Sequence, residues 1–394
     1  MSIRELEKDE NTQARYAFLK AFDKIKNHLS PDDPETYWNI ASINGQPFKS
    51  PRTSAPQTKK VWRGDSQHEN VLFLSWYRAY LLRLENALVN NTPVGDQDKG
   101  ALHYWDETSD ESLKDGLPSL LTVDFVEIDD FGNTIPNPLL GYILPNAIPL
   151  NEANQKYTKA AGYTTCRYPF SGLMNPRNPS KYTTNSQLQN NYLNLLLRYP
   201  EDYLNQNIVH SLNNLHHPLI PIKEMYERCL DIDNYNQFSN IVSATGGQIS
   251  LEQASINMLH TLGGNSPPSK EFQIELVAGS HGDLGAKEMA AFDPLFFLHM
   301  ANVDRIFWLW QTKYQVNTVL QPFTITPDDG TKPKNGQGPS PTQQGDQELD
   351  MNTPLNPFTS GADNQPTVTN DIIDIVNQLN YGYTNGSITL EQTA

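Results

Sequence analysis

Three segments of the chain repeat bulky residues at steps of three and four positions, the spacing that places side chains on one face of an α-helix. The third segment follows Asp293 and Pro294, a pair typical of a helix start. The stripes contain Phe73, Tyr77, Tyr80 and Leu84, then Leu251, Ser255, Met258 and Leu262, and finally Phe296, Met300, Val303, Phe307 and Trp310. The pattern predicts a mainly α protein in which these helices face a common interior.

The composition supports a substantial core and argues against two classes of partner. The chain has 394 residues, of which 37% are hydrophobic. Its 29 basic and 45 acidic residues give a net charge of −16, which argues against nucleic acid or an anionic membrane as a partner. The first residues, M-S-I-R-E-L-E-K-D-E, lack the apolar region of a signal peptide. We therefore expect a cytoplasmic protein in which Cys166 and Cys229 are free thiols.

Several motifs carry a resemblance to a known family. Residues 68–85 read H-E-N-V-L-F-L-S-W-Y-R-A-Y-L-L-R-L-E, and residues 292–305 read F-D-P-L-F-F-L-H-M-A-N-V-D-R. Shorter matches are Y-W-D at Tyr104 and, near the end, P-F and Y-G-Y. These motifs resemble those of tyrosinases, catechol oxidases and molluscan haemocyanins. The resemblance covers residues 1–385 and implies one tyrosinase-like domain, a central four-helix bundle wrapped by long loops and a few short strands, followed by a tail at 386–394.

The chain departs from this family at the residues that bind metal. In the family, six histidines hold two copper ions. Aligning the motifs puts at those positions Asn44, His68, Tyr77, Ser255, Leu259 and Met300. An alternative alignment moves the second helical motif to residues 274–285, where His281 lies one residue from a ligand position. In the preferred alignment, His68 is the one copper-binding histidine of the family that this chain retains. The resemblance therefore implies a scaffold without a dicopper centre.

The residues at these positions have two interpretations. Met300 and Leu259 are apolar side chains that fill irregular gaps in a core. The four polar residues at the other positions converge on one interior spot and need partners or water there. We favour a functional cavity over a satisfied polar core for these four.

Histidines outside the aligned ligand positions suggest a different metal site. His260, His281 and His299 all lie near the family's second copper position. Three nitrogen ligands with an open fourth position describe a catalytic zinc site. The sequence therefore predicts at most one zinc ion, bound by these histidines.

The loss of copper ligands provides a functional expectation. The chain resembles the haemocyanin-like cyclopenases of fungal quinolone alkaloid biosynthesis. These lyases contract a cyclopenin-type benzodiazepinedione to a viridicatin-type quinolone and release methyl isocyanate. The expected partner is then a small aromatic alkaloid substrate. Two other hypotheses stay open, a non-catalytic binding or scaffold protein and a phenol oxidase with rearranged metal ligands, and the oligomeric state is open as well.

The cyclopenase hypothesis assigns roles to individual residues. His68 or Tyr77 would donate a proton to the epoxide oxygen, and Asn44 or a zinc ion would polarise the amide carbonyl. Glu69 would orient His68 or act as a base, unless it is a solvated carboxylate at a helix start. The residues expected to bind substrate are Phe73, Tyr80, Ser255, Leu259, Phe296 and Met300.

The segments between the motifs predict loops and a few strands. Residues 326–347 are polar and rich in Gly and Pro, which predicts a mobile insertion. The stretch at 122–154 contains strand-like pieces at 123–128 and 142–144. The resemblance also makes Arg4 a candidate partner of Tyr381 and Tyr383.

Overall fold

A computed structural model describes residues 1–47, 64–96, 99–148, 159–165, 167, 205, 208–209, 212–213, 220–262, 283–285, 287–332, 348–361 and 363–390. For residues 260–262 it describes the backbone alone. The helices, numbered along the chain, are α1 Ile3–Leu6, α2 Thr12–Asn27, α3 Tyr37–Asn44, α4 Phe73–Asn91, α5 Asp110–Asp115, α6 Ile222–Leu230, α7 Tyr235–Ser239, α8 Leu251–Leu262 and α9 Pro294–Lys313. The predicted mainly α class is confirmed.

The helical bundle is organised around α4 and α9. Helix α4 packs between α2 and α9, and α9 in turn packs against α8 and α6. Every stripe residue whose side chain is described is buried, so the periodicity correctly identified the inward faces. Helix α9 begins as predicted, because the Asp293 carboxylate accepts a hydrogen bond from the Leu295 backbone N–H at 2.9 Å and Pro294 occupies the first turn.

Short strands lie around the helices as three two-stranded antiparallel ribbons in the described part of the chain. They pair β1 Phe125–Glu127 with β2 Thr134–Pro136, β3 Asn317–Thr318 with β4 Gln321–Pro322, and β5 Pro354–Ser360 with β6 Gln365–Val368. The strand predicted at 123–128 is therefore confirmed as β1. The piece predicted at 142–144 forms one isolated bridge, from Ile143 to Thr164.

The predicted polar insertion begins later than the sequence indicated. The Asp328 side chain accepts hydrogen bonds from the backbone of Gly330 and Thr331, both of which are buried. The Gly330 carbonyl accepts from the Val71 N–H at 3.2 Å, and a Cβ on Gly330 would lie 2.1 Å from Ser243 Oγ. Residues 326–332 are thus part of the packed domain, because a glycine lets the backbone approach closely. The rest of the predicted insertion, 333–347, lies outside the described residues.

A cluster around the buried Asp304 carboxylate fastens the C-terminal segment to the bundle. Tyr381 and Tyr383 donate hydrogen bonds to Asp304 Oδ2 at 2.7 and 2.6 Å, and Arg78 Nε donates to Oδ1 at 2.7 Å. We call Arg78, Asp304, Tyr381 and Tyr383 the closure cluster. It ties α4 and α9 to the end of the chain.

Contacts near both ends of the chain bear on the sequence predictions. The predicted pairing of Arg4 with the C-terminal tyrosines is wrong, because the Arg4 guanidinium donates to the Gly116 carbonyl at 2.8 Å. The tail predicted to begin at residue 386 is packed at its start. The Ser387 N–H donates to Asp106 Oδ2 at 2.7 Å, and Ile388 is buried.

Two further findings bear on the sequence predictions. Cys229 is a buried free thiol, as predicted, and its Sγ donates to the Ile249 carbonyl at 3.0 Å. Cys166 lies outside the described residues. Within the described ranges, no helix is both long enough and apolar enough to cross a membrane.

Candidate functional site

Three polar residues meet in the interior beside α4. Tyr77 Oη donates a hydrogen bond to Asn44 Oδ1 at 2.9 Å and lies 3.2 Å from His68 Nε2. All three side chains are buried. We call Asn44, His68 and Tyr77 the polar trio. The structure thus brings together three of the residues that the sequence placed in one cavity.

The backbone around Asn44 fixes one side of the trio. Asn44 is the last residue of α3, and its Nδ2 donates to the Lys287 carbonyl at 2.8 Å. A Cβ on the next residue, Gly45, would lie 2.7 Å from the Glu288 carbonyl oxygen. Glycine is therefore required for the end of α3 to press against residues 287–288. On the other side, Tyr80 Oη donates to the Ile40 carbonyl at 2.9 Å and holds α3 against α4.

The hydrogen-bond pattern assigns protons within the trio. A phenol carries one proton, so only one neighbour can accept from it. With Asn44 Oδ1 accepting, His68 Nε2 must donate to the Tyr77 oxygen. Burial raises the pKa of Tyr77 well above its ordinary value, and the negative charge of Glu252 raises it further. Tyr77 is consequently held as a neutral hydroxyl.

A buried carboxylate that the sequence analysis missed lies next to His68. Glu252 Oε1 is 3.5 Å from His68 Nδ1 and accepts a hydrogen bond from the Glu69 backbone N–H at 2.7 Å. Its second oxygen accepts from the Ile241 N–H at 3.1 Å. The carboxylate that faces His68 is thus Glu252. Glu69, the predicted orienting residue, contributes its backbone, which has a positive φ of 57°.

A second buried cluster lies where α8 meets α9. Ser255 Oγ is 2.9 Å from His299 Nε2, and His299 Nδ1 is 2.8 Å from Glu107 Oε2. Ser255 Oγ also lies 3.6 Å from Met300 Sδ. The Tyr226 hydroxyl donates to the other oxygen of Glu107. We call Ser255, His299 and Glu107 the Ser–His–Glu cluster.

Helix α8 connects the two clusters. Glu252 and Ser255 are three residues apart on α8, so they lie on the same face of that helix. Opposite them, the ring centroids of Tyr77 and Phe296 are 6.1 Å apart, and Phe296 precedes Met300 by one turn of α9. The polar trio and the Ser–His–Glu cluster therefore line one interior region.

The other residues predicted for the site form two groups. Some lie in this interior region, and the others are not described by the structure. Phe73 packs edge-on against Tyr77 at 4.9 Å between centroids, and Leu259 is buried on α8. The predicted zinc ligands are not assembled among the described side chains, since His281 and the side chain of His260 lie outside them. Both ring nitrogens of His299 are already hydrogen-bonded, to Ser255 and Glu107. A metal ion at His299 would have to displace one of these partners.

The described side chains also contain no other assembled metal site. Within those residues, no group of three or more His, Cys, Asp or Glu side chains is placed to hold a metal ion. What the arrangement offers chemically is a neutral proton donor in the trio and a hydroxyl with a histidine acceptor in the Ser–His–Glu cluster.

Comparisons with known proteins agree on one family. The common central domain of tyrosinase matches residues 34–313. The tyrosinase HcTyr2 of Hahella sp. is 36% identical over 94% of this chain and 69% of its own length. The tyrosinase of Aspergillus oryzae is 30% identical over 97% of this chain and 72% of its own. A tyrosinase structure from Burkholderia thailandensis superimposes with a TM-score of 0.83 at 31% identity, covering 98% of this chain and 74% of that protein.

Proposed function

The chain belongs to the tyrosinase family, and we propose that it uses the family's scaffold for a lyase reaction without net oxidation. The proposed reaction is that of a cyclopenase, in which a cyclopenin-type benzodiazepinedione is contracted to a viridicatin-type quinolone and methyl isocyanate leaves. All substrate atoms appear in these two products, so no oxidant is consumed. The observation that carries the proposal is the buried trio, in which Tyr77 is a proton donor held between an amide and an imidazole.

The residues at the family's copper positions do not fit a dicopper centre. Each copper ion of the family is held by three imidazoles, and on the preferred alignment His68 is the single histidine at these six positions. Two of the other groups, the Asn44 amide and the Tyr77 hydroxyl, are hydrogen-bonded to each other. At the second copper position the groups are a serine, a leucine and a methionine. The proposed reaction therefore uses no step that passes through copper.

Tyr77 is the proposed donor to the epoxide oxygen. Its raised pKa keeps the proton on the phenol at neutral pH. A hydrogen bond from such a donor stabilises the negative charge that develops when the carbon–oxygen bond of the epoxide opens. As the charge grows, the proton moves to the oxygen, and His68 Nε2, at 3.2 Å from Tyr77 Oη, is placed to replace it. Because the two products contain all the atoms of the substrate and no others, the substrate releases one proton from another position, and that proton returns to His68.

His68 and Asn44 have supporting roles in this proposal. Glu252 Oε1 lies 3.5 Å from His68 Nδ1, so a buried carboxylate stands beside the ring that faces Tyr77. Asn44 accepts from Tyr77 and donates to the Lys287 carbonyl, so it orients the hydroxyl rather than acting alone on the substrate. This role differs from the carbonyl polarisation that the sequence suggested for Asn44. Phe73, Leu259 and Phe296 supply apolar surface for the aryl groups.

A second candidate function is phenol oxidation with rearranged metal ligands. The observation in its favour is the 36% identity to a protein named tyrosinase. The two candidates differ in their need for dioxygen and copper. One experiment can therefore separate them.

The test is incubation of the purified 394-residue chain with cyclopenin in oxygen-free buffer, alongside catechol in air with added copper. We expect viridicatin and trapped methyl isocyanate in equal amounts from the first reaction and no quinone from the second. Oxidation of catechol in proportion to bound copper would overturn the lyase proposal in favour of the oxidase. Inactivity towards both substrates would instead favour a binding or scaffold protein.

A further inference from the structure

Ser255, His299 and Glu107 form a relay that the proposed lyase reaction does not use. The Ser255 hydroxyl is 2.9 Å from His299 Nε2, and His299 Nδ1 is 2.8 Å from Glu107 Oε2. A hydroxyl, an imidazole and a carboxylate in this order are the parts of an activated nucleophile. We propose that Ser255 is a nucleophile for acyl transfer from small apolar esters, with His299 as its base and Glu107 as the group that orients His299.

The hydrogen bonds define the direction in which the proton moves. Glu107 is a carboxylate, so it accepts a hydrogen bond from His299 Nδ1–H and leaves the lone pair of Nε2 facing Ser255. Met300 Sδ, at 3.6 Å, is a weak acceptor and competes poorly for the Ser255 proton. The Ser255 hydroxyl therefore has one strong acceptor, the histidine.

The carboxylate of the relay is itself held in place. Tyr226 donates to the Glu107 oxygen that does not face His299. Burial raises the pKa of Tyr226, so its hydroxyl remains a donor. Each oxygen of Glu107 thus has its own partner, and the ring of His299 is fixed from both sides. A serine that only fills space in the core would not require a histidine held in one orientation beside its hydroxyl.

The surroundings of Ser255 define the class of substrate. Ser255 itself is 1% exposed, and its neighbours in the same interior region include Leu259, Phe296 and Met300. A charged acyl donor would lose its hydration beside these apolar side chains. The site is suited to a small neutral ester.

The proposed step balances with water as the second substrate. Ser255 Oγ attacks the acyl carbon while its proton passes to His299 Nε2, and the ester carbon–oxygen bond then breaks. The leaving alcohol takes the proton from His299. Water next attacks the acyl-serine with His299 again as base, which releases the carboxylic acid and restores the Ser255 hydroxyl. This reaction does not depend on the lyase proposal.

The test uses p-nitrophenyl acetate as a probe with the 394-residue chain. We expect a burst of about one p-nitrophenol per chain, and the mass of the quenched protein should rise by one acetyl group located at Ser255 by peptide mapping. Acetylation elsewhere, or at no residue, would overturn the proposal. Ser255→Ala should abolish the burst, while Ser75→Ala, which alters an equally buried serine on α4, should leave it unchanged.

A second pair of variants tests the relay rather than the serine alone. His299→Gln should slow acetylation of Ser255 by about a hundredfold or more, the scale of a lost general base. Glu107→Gln keeps an acceptor for Nδ1 but loses the charge, so it should slow the reaction less. The thermal unfolding of each variant is measured first, and Glu107→Gln carries the test if His299→Gln does not fold. An acetylation rate equal to that of the unmodified protein in the folded variant would contradict the relay.

Discussion

Two neighbouring residues of α4 enter two very different polar clusters. Arg78 enters the closure cluster, where its charge is paired with Asp304 at 2.7 Å and two tyrosines donate to the same carboxylate. Tyr77 enters the polar trio, where an amide, an imidazole and a phenol are joined by hydrogen bonds at 2.9 and 3.2 Å. The first cluster is built on a buried ion pair, and the second on groups that can exchange a proton.

The difference separates stability from chemistry within one helix. Removing one partner of a buried ion pair leaves an uncompensated charge, which is strongly destabilising. Changing one member of a neutral hydrogen-bonded cluster costs much less free energy. We infer that the closure cluster holds the fold of this chain together, whereas the trio carries the proposed chemistry.

The largest expected effect is on the stability of the closure cluster. Asp304→Asn removes the charge that compensates Arg78 and weakens the acceptor of Tyr381 and Tyr383. We expect the free energy of unfolding to fall by about 3–5 kcal/mol. Denaturant-induced unfolding measures this change. A loss below about 1 kcal/mol, the scale of an exposed ion pair, would show that the closure cluster does not stabilise the fold as a buried ion pair does.

A smaller effect on stability is expected at Glu252. This residue has a buried carboxylate, like the closure cluster, but lies beside the polar trio. It is a buried carboxylate that accepts from two backbone N–H groups and faces His68. Glu252→Gln should lower the free energy of unfolding by about 1–3 kcal/mol, because hydrogen bonds to a charged group are replaced by weaker ones. It should also change cyclopenin turnover, because it removes the negative charge that lies 3.5 Å from His68 Nδ1. Unchanged turnover would show that Glu252 is structural alone.

Both clusters predict a loss of stability at alkaline pH. Burial raises the pKa of Tyr77, Tyr381 and Tyr383 above the ordinary value of 10.0. Above that value the unfolded chain releases these protons and the folded chain keeps them, so the free energy of unfolding falls as the pH rises. Each such tyrosine should contribute a slope of about 1.4 kcal/mol per pH unit. Replacing Tyr381 by phenylalanine should reduce the slope by the contribution of one tyrosine. An unchanged slope would argue that Tyr381 ionises in the folded state.

The smallest expected change in stability belongs to the trio. Tyr77→Phe keeps the ring that packs against Phe73 and removes the hydrogen bond to Asn44. The free energy of unfolding should fall by about 1–2 kcal/mol. Calorimetric unfolding of this variant beside Asp304→Asn gives a direct comparison of the two clusters. Equal losses would erase the distinction between them.

Much of the fold could be predicted from the sequence because helical periodicity is a local signal. The stripes at Phe73, Leu251 and Phe296 were identified from spacing alone, and the start of α9 from a capping pair. The trio could be predicted because the motifs of the family bring Asn44, His68 and Tyr77 to one place. Both the spacing of residues along a helix and the motifs of a family can be recognised in a single amino-acid sequence.

The missed residues depend on contacts between distant parts of the chain. Glu107 follows the Y-W-D motif in a non-helical segment and reaches His299 only through the packing of the fold. Glu252 lies in the S-L-E motif, which served as an alignment anchor although its carboxylate is fully buried. A signal that could have found it is a glutamate one turn before Ser255 on the inward face of α8. The assignment of Arg4 to the C-terminal tyrosines failed for the same reason, because Asp304 competes for them.

The separation of scaffold and chemistry is tested most directly by comparing cyclopenin turnover in the unmodified protein, Tyr77→Phe and His68→Ala, each measured well below its own unfolding temperature. Our account predicts that Tyr77→Phe stays folded yet turns over about a hundredfold more slowly or worse, since a positioned proton donor contributes on that scale. His68→Ala should also be slow. Near-equal rates in all three proteins would contradict the account and make the polar trio a structural cluster.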